Sequence, residues 1–176
     1  MKTKKMIVGG LFCALGVLLP QIFHLFGTAG GSAFLPMHIP TLVAGFLLGP
    51  AYGTVVGALS PVLSSFFTGM PPMAKMPFMI FELAAYGFTS GLLSKKLPPM
   101  RSAYLRTLIC LIAAQLVGRI VNVLCTLVAL HILGIGGQAV TWMTVWTSVL
   151  TGAPGIAVQI VLIPPLVLLC KKTVSL

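Results

Sequence analysis

Apolar residues run in long unbroken blocks along this chain, separated by short stretches rich in Gly, Pro or basic residues. The blocks at 6–26, 51–68, 73–94 and 104–131, and a last one ending near Cys170, approach or exceed the roughly 20 helical residues that cross a hydrocarbon core. A further block, 38–49, is short. Backbone polar groups must be satisfied internally in lipid, so these blocks predict helices. The alternating ten-residue segments of a membrane barrel are absent. The expected fold is an all-α integral membrane protein, a single membrane domain over 1–176 with six transmembrane helices.

Composition agrees: 58% of the residues are hydrophobic and only 7% charged, with a mean hydropathy of +1.10. The net charge of +10 does not point to nucleic acid, because the basic residues form neither a continuous face nor a patch interleaved with aromatics. They cluster at block ends instead. Lys2, Lys4 and Lys5 precede the first block; Lys95, Lys96, Arg101 and Arg106 lie between the fourth and fifth; Lys171 and Lys172 follow the last. Both termini in the cytoplasm, with an even number of spans, bring all three clusters to the cytoplasmic side, and only Lys75 and Arg119 fall elsewhere. The first block reads as a retained helix, since it runs past Pro20 without a small-x-small cleavage site. Cys13, Cys110, Cys125 and Cys170 are scattered through apolar blocks and read as buried thiols.

Several chemistries lack their residues. Glu82 is the only acidic residue, so no carboxylate pair exists for a two-metal site or a glycosidase. His24, His38 and His131 have no zinc-ligand spacing. The nucleophile elbow Gly-x-Ser-x-Gly and the phosphate-cradling nucleotide loop are also missing. The chain is not expected to be an enzyme or to hold a cofactor, and any ATP used in transport must be hydrolysed by another chain.

Polar residues at membrane depth are costly and therefore candidates for function. Gln115, Arg119, Asn122 and Thr126 recur at i, i+4, i+7 and i+11, which places them on one helical face. Lys75, Met79, Glu82 and Tyr86 form a similar stripe on the preceding block. At 1.5 Å per residue Glu82 lies roughly 13 Å and Arg119 roughly 18 Å from the outer ends, a gap that long side chains close. Three readings stay open: a salt bridge fixing one helix to the next, a ligand site, and a proton relay, which a single acid serves poorly. In the second, Arg119 offers its planar fork to a carboxylate or carbonyl, and Glu82 accepts from a hydroxyl or ring nitrogen.

The outer loops carry unusual backbone. Gly27–Ser32 leads into Leu35-Pro36-Met37-His38-Ile39-Pro40, and Thr68–Met73 carries Gly69, Pro71 and Pro72. Flexible glycines beside rigid prolines suit a lid with a fixed edge. Ser65–Pro71 resembles Ser148–Pro154; a true repeat starts the last helix near Pro154, and the alternative is one long helix from about 140. Trp142 and Trp146 suit an interfacial aromatic belt or a stacking platform. Met37, Met70, Met73, Met76 and Met79 suit adaptable packing around the same mouth.

The segments FLPMHIPTLVAGFLLGP, SPVLSSFFTGMPPM, FELAAYG, GRIV and TGAPGIAVQIVLIP, with the basic N-terminus, resemble the substrate-binding S components of energy-coupling factor (ECF) vitamin transporters. The pantothenate-type branch is the most similar. The resemblance covers nearly the whole chain. It implies a multi-pass protein of the bacterial plasma membrane that captures a vitamin from outside. Its partners would be a transmembrane scaffold subunit and two ATPases. The family docks its scaffold through small residues four apart on the first helix, which here are Gly10 and Ala14. Pro36 and Pro40 would then hold Met37 and His38 over the cavity. The implied substrate-binding residues are Met37, His38, Glu82, Tyr86, Gln115, Arg119, Asn122 and Trp146. A carboxylate-bearing vitamin such as pantothenate suits Arg119, Asn122 and Gln115. A pyridine or pyrimidine precursor suits Glu82 and Trp146, and a stand-alone secondary carrier is the competing class.

Overall fold

The computed structural model describes residues 2–24, 34–131 and 150–173. They form helices α1 (Lys2–His24), α2 (His38–Leu48), α3 (Pro50–Thr68), α4 (Met76–Lys96), α5 (Ala103–His131) and α6 (Ala153–Thr173), with no strand among the described residues. All but α2 are long and apolar enough to cross a membrane. At 11 residues, α2 is roughly 16 Å long, about half the hydrocarbon thickness.

Local sequence explains the boundaries. Gly49, at φ 95°, makes the one-residue corner between α2 and α3, and Pro50 follows in the first turn of α3, where its missing N–H is not needed. Gly69 ends α3 in the left-handed conformation, its N–H donating to Ser65 O at 2.9 Å. The expected start of the fourth span, 73, gives way to Met76, because Pro71–Lys75 form turns and Pro77 takes the first-turn position. The last helix runs from Ala153, with Pro154 in its first turn, and the turn at Gly152 separates it from Leu150 and Thr151, which are themselves helical. The Gly27–Ser32 run, the segment from Val140 and both tryptophans, Trp142 and Trp146, lie outside the described residues.

Helices α2, α3 and α4 pack backbone against backbone. A methyl group on Gly53 would strike the Gly87 carbonyl, one on Gly57 the Leu83 carbonyl, and one on Gly91 the backbone of Gly49 and Pro50. Glycines on one face permit this close approach, which in lipid replaces the hydrophobic drive for association. Ser90 adds a hydrogen bond from its hydroxyl to Leu42 O at 3.3 Å. Nearly every residue of α2 is buried, as an all-round apolar helix requires.

The same contacts fix direction. Gly9 of α1 faces Tyr52 and Val56, and Gly16 faces Ser60, so α1 and α3 run parallel. The start of α3 meets the end of α4 at Gly91, and Lys95 reaches Gly49. Arg106 donates Nη2 to the Ser94 and Leu97 carbonyls at 2.6 and 2.7 Å, and Lys171 Nζ lies 3.4 Å from Ser94 Oγ. The start of α1, the end of α4 and the end of α6 therefore share one end of the bundle, and all three basic clusters gather there.

Candidate functional site

At the opposite side of this layer, α2 begins at the depth of Glu82. His38 N donates to Leu35 O at 3.0 Å, closing a turn in which Leu35 takes the left-handed φ of 48°. Pro36 follows, and Pro40 sits in the first helical turn, where proline is tolerated. The two prolines frame His38, which is only 4% exposed. Met37 packs beside it in the core formed with Leu42, Leu83, Tyr86 and Leu111.

Glu82, on α4, is buried and surrounded. Tyr86, one turn on, donates its hydroxyl to Oε1 at 3.0 Å. Asn122 on α5 donates Nδ2 to Oε2 at 2.8 Å. Arg119 Nη1 stands 3.3 Å from Oε1, and His38 Nε2 stands 3.8 Å from the same oxygen. The histidine and tyrosine rings lie 5.1 Å apart, tilted by 58°. Both oxygens of the carboxylate thus face donors. Its charge and that of Arg119 cancel.

Several polar atoms remain. Arg119 Nε and Nη2, together with both ring nitrogens of His38, are buried and have no hydrogen-bond partner among the described residues. Buried polar atoms are rarely left so.

The helical face read from the sequence is real, but it serves two separate groups. Arg119 and Asn122 meet Glu82, whereas Gln115 donates Nε2 to Gln159 Oε1 at 3.0 Å. Gln159 Nε2 in turn reaches Leu35 O at 3.4 Å, tying α5 and α6 to the turn before α2. Thr126 is buried further along the same face. On α4 the stripe holds from Met79 to Tyr86, while Lys75 lies exposed just before the helix. Trp146 lies outside the described residues.

Two contributors escaped the sequence reading. Gln159 is a polar residue inside an apolar run, a signal in itself. Gly118 seats the Tyr86 ring, which a methyl group there would strike. No group of three or more His, Cys, Asp or Glu able to hold a metal occurs among the described residues.

A family model for the substrate-specific component of ECF transporters matches residues 4–167. The chain belongs to the ECF substrate-specific component family. No curated protein and no solved structure shows a match to it. As an S component it is a multi-pass membrane protein of a transport system, and the family implies a small-molecule substrate and partners in the ECF module. Gly10 and Ala14 of this S component are exposed on α1, and a side chain at Gly10 would meet open space. Gly9, Cys13 and Gly16 take the inward face of the same helix.

Proposed function

We propose that this protein is the vitamin-capturing S component of an ATP-dependent ECF importer, taking a carboxylate-bearing vitamin, pantothenate foremost, from outside the cell. The observation that carries the reading is the unsatisfied fork of Arg119: Nη1 faces Glu82, while buried Nε and Nη2 have no partner among the described residues. A planar pair of N–H donors matches a carboxylate. His38 adds a ring beside it, and Tyr86 and Asn122 hold Glu82 in place. In this reading α2 supplies the sixth, short membrane segment, both termini are cytoplasmic, and the membrane is the bacterial plasma membrane. The chain itself binds no cofactor. Gly10 and Ala14 face the scaffold subunit, and two ATPases supply the energy.

A second reading, a pyridine or pyrimidine precursor as substrate, draws on the His38–Tyr86 ring pair. It is the weaker one, because Glu82, the acceptor such a ring would need, already faces Tyr86, Asn122 and Arg119.

The test is a thermal-shift panel on the purified protein in detergent with water-soluble vitamins and precursors at low micromolar concentration, and Arg119→Ala in parallel. A tight ligand raises the melting point according to its concentration over its Kd. Pantothenate stabilising the wild type and not the variant is the expected result. Stabilisation by a neutral ring compound alone replaces the substrate. Sustained uptake by the protein alone in liposomes would make it a stand-alone carrier and overturn the importer reading.

A further inference from the structure

An anionic substrate brings a second negative charge to a place that already holds Glu82. Glu82 and Arg119 balance one another, so a carboxylate beside them leaves one unit of buried negative charge, which is costly unless compensated. The groups facing this point come from several helices. Helix α2 brings His38; α4 brings Glu82 and Tyr86; α5 brings Arg119, Asn122 and Cys125, the last within electrostatic reach of Glu82. From α6 comes the neutral amide of Gln159. On α1, Cys13 packs against Ala44 and Leu48 in the other half of α2. The one side chain here that can present either one ring donor or two is the His38 imidazole.

We propose that the anionic substrate binds together with one proton, which is taken up by His38. This rests on the reading of a carboxylate-bearing vitamin as substrate. The geometry singles out the imidazole. Both oxygens of Glu82 already accept from Tyr86 and Asn122, and Arg119 faces it, so the group still short of partners is the imidazole. Both ring nitrogens of His38 lack hydrogen-bond partners among the described residues, and Nε2 points at Glu82 from 3.8 Å. A neutral imidazole has one donor and one acceptor, whereas an imidazolium has two donors. Flanked by Glu82 on one side and a substrate carboxylate on the other, the ring is matched only as the imidazolium. The complex then holds Glu82 and the substrate as anions and Arg119 and His38 as cations, with no net buried charge. Without the substrate, a protonated His38 would face Arg119 with only Glu82 to offset both.

The sign of the pH dependence follows. The complex carries one more proton than the free protein and free anion, so affinity falls as pH rises wherever that extra proton is bound in the complex alone. The limiting slope is about tenfold in Kd per pH unit.

The experiment is titration calorimetry of the intact protein in detergent with pantothenate and with nicotinate, between about pH 7 and pH 9, where an ordinary histidine is mostly neutral. Two buffers of different ionisation enthalpy at each pH count the protons. The expected result is net uptake of up to one proton per anion within this range, with Kd weakening by up to about tenfold per unit where uptake is complete. His38→Gln, which keeps a donor and cannot titrate, should flatten the profile. A carboxylate that binds with pH-independent Kd and no proton uptake overturns this inference and leaves the vitamin reading standing. If neither anion binds while a neutral ring compound does, the carboxylate reading falls and this inference with it. If the variant does not fold, the wild-type proton count decides alone.

Discussion

Asn122 on α5 donates its side-chain amide to Glu82 on α4 at 2.8 Å, from the opposite side to the Tyr86 hydroxyl. The carboxylate is thereby pinned through both oxygens, and Arg119 is aimed by a fixed anion.

Glu82→Ala should therefore destabilise the protein strongly. It leaves the Arg119 cation largely buried without its counter-ion and frees the donors of Asn122 and Tyr86. Breaking a buried pair in this way costs about 3–5 kcal/mol. Thermal unfolding in detergent measures it, and a melting temperature equal to the wild type would mean that the network contributes nothing to the fold.

Gly118→Ala tests the seat of the Tyr86 ring. The added methyl strikes the ring, so either α5 backs away from α4 or the hydroxyl leaves Glu82. Overpacking of this kind costs about 1–3 kcal/mol, and ligand affinity should drop with it. Tyr86→Phe keeps the ring and removes one hydrogen bond, a loss of about 1 kcal/mol.

Gln115 and Gln159 form a pair that a mutant cycle can resolve. Gln159→Leu leaves the Gln115 amide and the Leu35 carbonyl each short of a partner, a cost of about 1–3 kcal/mol. Adding Gln115→Leu should recover part of that loss, because both buried amides are then gone. Additive losses in the double variant would show that the two side chains act independently.

Gly10→Trp and Ala14→Trp should leave the melting temperature and vitamin binding of the isolated protein within error, since both positions are exposed. Uptake by cells or proteoliposomes containing the ATPase module should fail in both. Normal uptake would mean that this face of α1 does not meet the scaffold.

Much of the architecture could be read from the sequence because membrane helices advertise themselves by length and apolarity, and because the basic residues really do collect at one end through Lys95, Arg106 and Lys171. The Glu82–Arg119 meeting was legible for a different reason: a charge at membrane depth needs an opposite, and the chain has one acid. What spacing could not show was which polar residue faces which. Gln115 shares a helical face with Arg119 yet finds its partner on α6, across 44 residues of sequence. Arg106 read as a topological charge only, while in space it closes the carbonyls at the end of α4. Gly118 stands in the GRIV segment, but its role gave no signal, since a glycine that makes room for a ring is indistinguishable in sequence from one that makes room for a helix.

The glycine contacts among α2, α3 and α4 bear on movement as well as on stability. Where helices meet through backbone there are few rotamers to rearrange, so the glycine contacts favour these three helices moving together. Rearrangement that accompanies capture or release then falls to interfaces made by side chains: Arg119 and Asn122 against Glu82, and Gln115 against Gln159. His38 rides on the stiff half and Arg119 on the adjustable half. If the proposed carboxylate site is the binding site, the substrate is gripped between a fixed jaw and a moving one.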